Sequence, residues 1–408
     1  MQLKEFSLIC PIIESSEVFK AIETALPSEM IEQAIGNTNS QQERQRKLPT
    51  DLVIGLVIAM SLWSSMSMRT VLKNLVNGLS RKWIQLAQYW QVPNSASISE
   101  ARQRVGCRVM TRLFELVVRP MASPQTEGAF LGGLRVMAVD GTVIDVPDSA
   151  ANARVFGYPG TRSGTKAAFP KARLVLLIET GTHLIVDALI CPYRMGERVR
   201  IQKLLRSVSS GMLLMWDRGL HSYKMVKATL KQSCHYLGRL PANVKFEVEQ
   251  VLDDGSYLSW IYPDGKSRKQ GAQRIRVRII EYTIDSDEEP KTYRLITSLM
   301  DIITFPALLL AAEYHQRWEI ESTIDELKTH LLGRKTPIRS LNPREVVQEI
   351  YGWLLGHWAI RSLMFQAAET AEISPLRIGF TGTLNVIRRA IPHFQAAQAS
   401  QLPFFGPG

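Results

Sequence analysis

Cysteine is scarce. The chain has 408 residues and only four cysteines, Cys10, Cys107, Cys191 and Cys234, far apart and with no CxxC pair. This excludes the common zinc sites and a disulfide framework, and it points to a reducing compartment. Long apolar runs are also missing. The opening residues, MQLKEFSLICPIIES, lack an extended apolar core and a small-residue cleavage site, so no signal peptide is expected. The most apolar stretch, Leu52 to Met66, contains Gly55, Ser61, Ser64 and Ser65. It is short for a membrane span and reads as a buried helix, so no membrane-spanning segment is expected. There is no internal repeat.

What is present is an ordinary globular composition with excess positive charge. Hydrophobic residues make up 45% and charged residues 21%. Lys and Arg number 49 against 38 Asp and Glu, a net charge of +11. Such a balance favours a polyanionic partner, either nucleic acid or an anionic membrane surface. The length allows two or three folded units.

The pattern along the chain divides it. Residues 1–120 read as a helical domain, with an apolar helix at 51–63 and another near 67–79. Ser97-Ile98-Ser99-Glu100 matches a capping box with Ser97 as N-cap, opening a helix that carries Arg102, Arg104, Arg108 and Arg112. Residues 120–133 read as a linker. From 134 to 241 strands alternate with helices, which predicts an α/β unit with a partly parallel sheet. Its parts are a strand ending at Asp140, a hairpin of 174–178 and 184–190, a helix at 197–208, a strand ending at Asp217, a helix near 222–231 and a strand at 235–239. Residues 242–300 are rich in strand and turn signals and read as a β-rich insertion. Helical pattern returns at Pro306, runs to His330, and is followed by a second long helix near 343–369. The tail, PFFGPG, reads as poorly ordered.

Asp140 and Asp217 each close a buried strand. In an open α/β sheet, functional groups gather beyond the carboxyl ends of the strands. Two acids there on neighbouring strands would repel unless a cation separated them, and a hard cation such as Mg²⁺ suits carboxylates. Alternatively, each Asp caps the turn after its strand.

The run from Glu313 to Lys328 adds a third acid. At about 100° per residue, Tyr314, Arg317, Glu321 and Lys328 fall within an arc of about 60°. Ile320, Ile324, Leu327 and Leu331 form the adjacent apolar stripe. Glu319 and Glu326 point the other way and read as solvated. The plain alternative for the polar stripe is a set of surface ion pairs, Arg317 with Glu321 among them.

The spacing Tyr314-x-x-Arg317-x-x-x-Glu321-x-x-x-x-x-x-Lys328 resembles the Y-R-E-K signature of insertion-sequence-4-type DDE transposases. Asp140 in VMAVDGT looks like that family's first aspartate and Asp217 in LLMWDRG like its second. LPTDLVIGLVIAMSLW and SISEARQRVG are similar to its N-terminal region, and VVQEIYGWLLGHWAIRSLM to its C-terminal helix. The resemblance implies a ribonuclease H-like core over 134–241 and 301–335, interrupted by the β-rich insertion at 242–300, with a C-terminal helical region over 336–408. It implies two Mg²⁺ or Mn²⁺ ions, double-stranded DNA with terminal inverted repeats, excision by cut-and-paste through a hairpinned end, and a homodimer on DNA. A cytoplasmic, nucleoid-associated bacterial protein is the matching location.

That chemistry needs these residue types. Two metals about 3.5–4 Å apart can activate the attacking oxygen and neutralise the leaving one at phosphorus. Asp140 is expected to bridge them, with Asp217 and Glu321 each holding one. Arg317, Lys328 and Tyr314 would contact phosphates. Trp260 is the candidate platform for a base leaving the stack, or else a core residue of the insertion. In KSRKQGAQRIRVR, Arg274, Arg276 and Arg278 alternate with apolar residues and would form either a DNA-tracking face of a strand or a solvated one. A nuclease of the same fold that does not transpose, and a DNA-binding protein that has lost catalysis, remain as rivals.

Overall fold

The computed structural model of the protein describes residues 24–41, 47–78, 91–160, 167–241, 243–284, 291–333 and 337–393. The first residues and the PFFGPG tail lie outside these. Helices α1 (Ser28–Asn37), α2 (Thr50–Leu62), α3 (Met68–Gly78), α4 (Ser95–Val105) and α5 (Arg108–Val117) make up the N-terminal part. The apolar stretch beginning at Leu52 is a buried helix as expected: α2 is covered from Leu52 to Met60 except at Gly55. It lies against α12 (Pro343–Thr370), where Gly352 and Gly356 let the helices touch, since a Cβ at Gly352 would stand 2.6 Å from the Val57 carbonyl oxygen.

Two expectations in this region are corrected. The N-cap of α4 is Asn94, whose Oδ1 accepts from the Ser97 amide at 2.8 Å, so Ser97 lies inside the helix. Asn94 has the extended backbone a cap requires, and its side-chain oxygen reaches the third helical amide. The arginines expected on one helix are divided between α4 and α5 by Gly106, at φ +71°. Arg102 is buried and donates to Gln348 Oε1 at 2.9 Å, Ser340 Oγ at 2.9 Å and the Glu345 carbonyl at 3.2 Å. It docks α4 onto α12 and is not available to DNA.

One mixed sheet organises the rest. Its strands are β1 (Phe130–Leu131), β2 (Leu134–Asp145), β3 (Lys171–Glu179), β4 (Leu184–Pro192), β5 (Met212–Trp216), β6 (His235–Arg239), β7 (Gln250–Val251), β8 (Tyr257–Ile261), β9 (Ile275–Ile284) and β10 (Lys291–Thr297). The order is β4-β3-β2-β5-β6-β10-β9-β8-β7, with β1 beside β2. β2, β3 and β4 form an antiparallel meander, while β5 and β6 run parallel to β2. Helices α6 (Ala150–Phe156), α7 (Glu197–Leu204) and α8 (Tyr223–Lys231) connect these strands. The anticipated alternation and the 174–190 hairpin are thus present.

The β-rich segment continues the same sheet. β10 pairs antiparallel with β6, Leu295 opposite Arg239, and β9, β8 and β7 follow outward. The KSRKQ stretch is not strand: Asp264 caps a short helix, α9 (Gly265–Gln270), accepting from the Ser267 amide at 2.8 Å.

The signature segment is three pieces and not one helix. α10 (Ala307–His315) ends at a turn, α11 (Trp318–Asp325) resumes, and Glu326–Leu331 is a π-helix. Ile320, Leu327 and Leu331 are buried as the apolar stripe requires, each contributing roughly 1.5–3 kcal/mol. α12 packs across α2 and α5, and α13 (Phe380–His393) closes the C-terminal side.

Candidate active site

Register brings the two aspartates together. The parallel pairing of β2 with β5 ends at Ala138 opposite Met215. Asp140 and Asp217 each follow two residues later, so they stand at the same height on neighbouring chains, which run about 4.8 Å apart. Asp140 does not close its strand, as the sequence suggested. β2 continues to Asp145 because its other edge stays paired with β3, where Asp140 faces Leu176.

Neither aspartate is a turn cap. Among the described residues, the Asp140 carboxylate accepts a hydrogen bond only from the adjoining Gly141 amide, at 2.7 Å. Asp217 precedes a 3₁₀ turn, yet its side chain makes no capping bond; the Leu220 amide is bonded to the Asp217 carbonyl at 2.9 Å. Burial above all pushes Asp140 up to about 6; the Gly141 amide and Arg317 oppose this, while Glu197 and Asp217 add to it. Removal from water, more than neighbouring charge, is what disfavours the charged form of Asp140.

The signature helix meets this pair. Tyr314 is buried and its hydroxyl donates to the Trp216 carbonyl at 3.3 Å, next to Asp217. Arg317 is also buried, with Nη1 3.9 Å from Asp140 Oδ2 and Nη2 3.1 Å from Glu321 Oε1. Burial works against its charge, but Tyr314, Asp217, Glu321 and Asp140 surround it and leave the guanidinium more basic than usual. Glu321 is exposed. Lys328 donates to Thr142 Oγ1 at 3.1 Å, two residues along β2 from Asp140. The ion pair anticipated between Arg317 and Glu321 exists, but one guanidinium spans both carboxylates. Among the described residues, no three His, Cys, Asp or Glu side chains converge tightly enough to hold a metal ion. The donors still suit a hard divalent cation: they are carboxylate oxygens, and a cation would offset the burial that disfavours the Asp140 carboxylate.

Sequence reasoning missed Glu197. It begins α7, lies against the backbone of Gly141 and pairs with Arg173 at 2.6 Å. Only chain folding brings this fourth carboxylate beside Asp140. A cleft of about 350 Å³ adjoins the site, lined by Arg218, Arg239, Tyr293 and Arg294 among others. Arg218 follows Asp217, and the Arg239 guanidinium lies 4.5 Å from the Tyr293 ring centroid.

The insertion divides the basic candidates. Trp260 is half-buried and covered by Arg274, 4.1 Å from its centroid, with Arg276 at 5.9 Å. Arg276 also pairs with Glu249 at 3.0 Å. Arg278 is wholly buried: it pairs with Asp254, donates to Ser256 Oγ at 2.8 Å and to the Phe305 carbonyl at 2.7 Å. The expected three-arginine face is therefore corrected to Arg274 and Arg276. Glu319 and Glu326 are corrected too: they lie away from the aspartates, but Glu326 is buried and Glu319 contacts His183.

Comparison with known proteins gives a consistent picture. A family profile described as the insertion element 4 transposase N-terminal region matches residues 16–115, and one described as a transposase DDE domain matches residues 131–355. The transposase InsG for insertion sequence element IS4 of Escherichia coli (strain K12) is 24% identical over 386 residues, covering 93% of this chain and 84% of that protein. The putative transposase InsZ of the same strain is 25% identical over 233 residues, covering 57% of this chain and 75% of that protein. A chain of the piggyBac transposase synaptic complex with hairpin DNA is similar at a TM-score of 0.48 and 11% identity, over 96% of this chain and 86% of that one. A likeness that loose carries no weight.

Proposed function

The chain belongs to the family of DDE-domain transposases with an insertion-element-4 N-terminal region, and on that basis we propose which residues perform the reaction. It is a DNA transposase of an insertion sequence, an enzyme that cleaves and joins DNA. The family works with divalent metal ions.

In our reading Asp140, Asp217 and Glu321 are the catalytic carboxylates, and they hold two Mg²⁺ or Mn²⁺ ions. The observation that carries it is the shared height of Asp140 and Asp217 beyond the Ala138–Met215 pair, with Arg317 reaching Asp140 and Glu321. Bound divalent ions supply an activated attacking oxygen and a neutralised leaving oxygen. Asp140, Asp217 and Glu321 would be the groups that hold the ions, and Arg317, which now reaches Asp140 and Glu321, would offer its guanidinium to a non-bridging phosphate oxygen. Lys328, beside Thr142, would hold a phosphate near the cut. Tyr314, expected from the sequence to do the same, is buried with its hydroxyl on the Trp216 carbonyl and would instead support the strand end before Asp217. Arg218 and Arg239 in the adjoining cleft extend the phosphate-binding track, and Arg274 and Arg276 continue it over the insertion. Trp260 remains a platform for an unstacked base once Arg274 moves to DNA.

The strand order, three antiparallel strands followed by two parallel ones, supports a ribonuclease H-like core over 134–241 and 301–335, extended by residues 242–300. The helical region up to residue 120 would grip terminal inverted repeats, with two protomers pairing two ends. Full-length protein should release a 3′-hydroxyl at the element's ends in Mg²⁺ and join it to target DNA. Metal-dependent nicking without joined product would favour a nuclease, and no cleavage at all would sink the reading.

A further inference from the structure

The back of the signature helix carries an ionic network that touches no reacting group. Glu326 opens the π-helix and is buried. Its Oε2 accepts from Arg361 Nε at 2.8 Å and from His357 Nε2 at 3.2 Å, and its Oε1 pairs with Arg361 Nη2. That same nitrogen lies 2.6 Å from His183 Nδ1, while His183 Nε2 lies 2.8 Å from Glu319 Oε2. His183 Nδ1 also lies 3.0 Å from Glu326 Oε1, so the ring stands between Arg361 and two carboxylates. Burial pushes His183 down to about 4, which favours the uncharged ring. Phe380 of α13 covers the network, its ring 5.4 Å from that of His357.

These groups come from separate parts of the chain. His183 sits in the β3–β4 turn at φ +57°, Glu319 on α11, Glu326 on the π-helix, and His357 and Arg361 on α12. Stability alone does not call for such a network. A buried ion pair barely recovers its desolvation and can often be replaced by apolar side chains without loss. Ile320, Leu327 and Leu331 already bind this helix to the core. Ions add geometry. A bidentate carboxylate–guanidinium fork accepts one orientation, and a slip or rotation of the helix would strand buried charge. π-helical turns often occur at functional sites.

We propose that Glu326, clamped by Arg361 and His357, is a positioning residue that fixes the rotation and axial placement of the helix presenting Glu321 and Lys328 to β2. It stands five residues after Glu321 and two before Lys328, on the face away from the aspartates, and acts through both. The inference rests on the catalytic reading of Glu321.

Two variants of the full-length protein test it. In the first, Glu326→Leu is combined with Arg361→Met, an apolar replacement that removes both charges of the pair. In the second, Glu319→Ala cuts the half-exposed edge of the network. Expected for the apolar pair are a retained fold, DNA affinity near wild type, and a single-turnover cleavage rate lower by about tenfold to a hundredfold. Amide hydrogen exchange of the metal-free protein should speed up over residues 318–331 in both variants, and cleavage should fall less in Glu319→Ala. Wild-type exchange and cleavage rates in the folded apolar pair would overturn the proposal. So would failure of that pair to fold, which would make the network a stability element. If wild-type protein itself does not cleave DNA, the transposase reading of the site fails, whereas the exchange measurement still reports whether the network holds the helix.

Discussion

Arg317 reaches Glu321 at 3.1 Å while its other terminal nitrogen stands 3.9 Å from Asp140. One guanidinium thus faces both carboxylates. In the proposed reaction Arg317 would have to release Glu321 before that carboxylate could hold a cation. Asp140→Asn, Asp217→Asn and Glu321→Gln are each expected to lower cleavage by at least about a hundredfold, on the scale of losing a principal electrostatic group. Band-shift affinity for DNA ends should stay close to wild type. Substantial Mg²⁺-dependent cleavage by one of the three variants would remove that residue from the catalytic set.

The raised Asp140 gives a pH signature. Its folded value is about 6, above that of an unfolded aspartate, so protonation favours the folded state. That stabilisation is complete below about pH 4 and disappears as pH rises through about 6. Asp140→Asn should therefore stabilise the metal-free protein at about pH 8, by roughly 1–3 kcal/mol, and make little difference near pH 4. Melting curves at the two pH values check this. At subsaturating Mg²⁺, wild-type cleavage should climb through pH 6 as the carboxylate becomes charged. A stability difference independent of pH would contradict the assignment.

Neighbouring arginines on β9 should behave in opposite ways. Arg278→Ala leaves Asp254 without its buried partner and should cost about 3–5 kcal/mol of stability. Arg276 is half-exposed. Arg274→Ala with Arg276→Ala should leave the melting temperature nearly unchanged and reduce the salt dependence of DNA binding by about two phosphate contacts. An unaltered slope would mark the pair as a solvated face.

Gly238 supports the site from behind. A Cβ there would stand 2.6 Å from Trp216 Cε2, and Trp216 is wholly buried, stacked on Tyr236 with centroids 5.1 Å apart. Gly238→Ala must displace the residue that precedes Asp217. It should cost about 1–3 kcal/mol through overpacking and slow cleavage per folded molecule. Unfolding and single-turnover measurements separate the two effects, and wild-type cleavage would show that Trp216 does not govern Asp217.

Much of this was legible in the sequence, because it rests on local periodicity. The hairpin at β3–β4, the strands leading to Asp140 and Asp217 and the long helix α12 follow from spacings of two or about 3.6 residues, whereas the stripe of Tyr314, Arg317, Glu321 and Lys328 was drawn for one continuous helix and the chain there is three pieces. What the sequence could not decide was where each charge ends up. Arg102, Arg278 and Glu326 look like surface residues because charge is usually solvated. Each is buried by a partner remote in the chain: Gln348 for Arg102, Asp254 for Arg278, Arg361 for Glu326. The same holds for Glu197 beside Gly141, and for a β-rich segment that joins the main sheet through β10 and β6. Local pattern fixes which face a side chain takes. Only the packing of distant elements decides whether that face meets water, DNA or another charge.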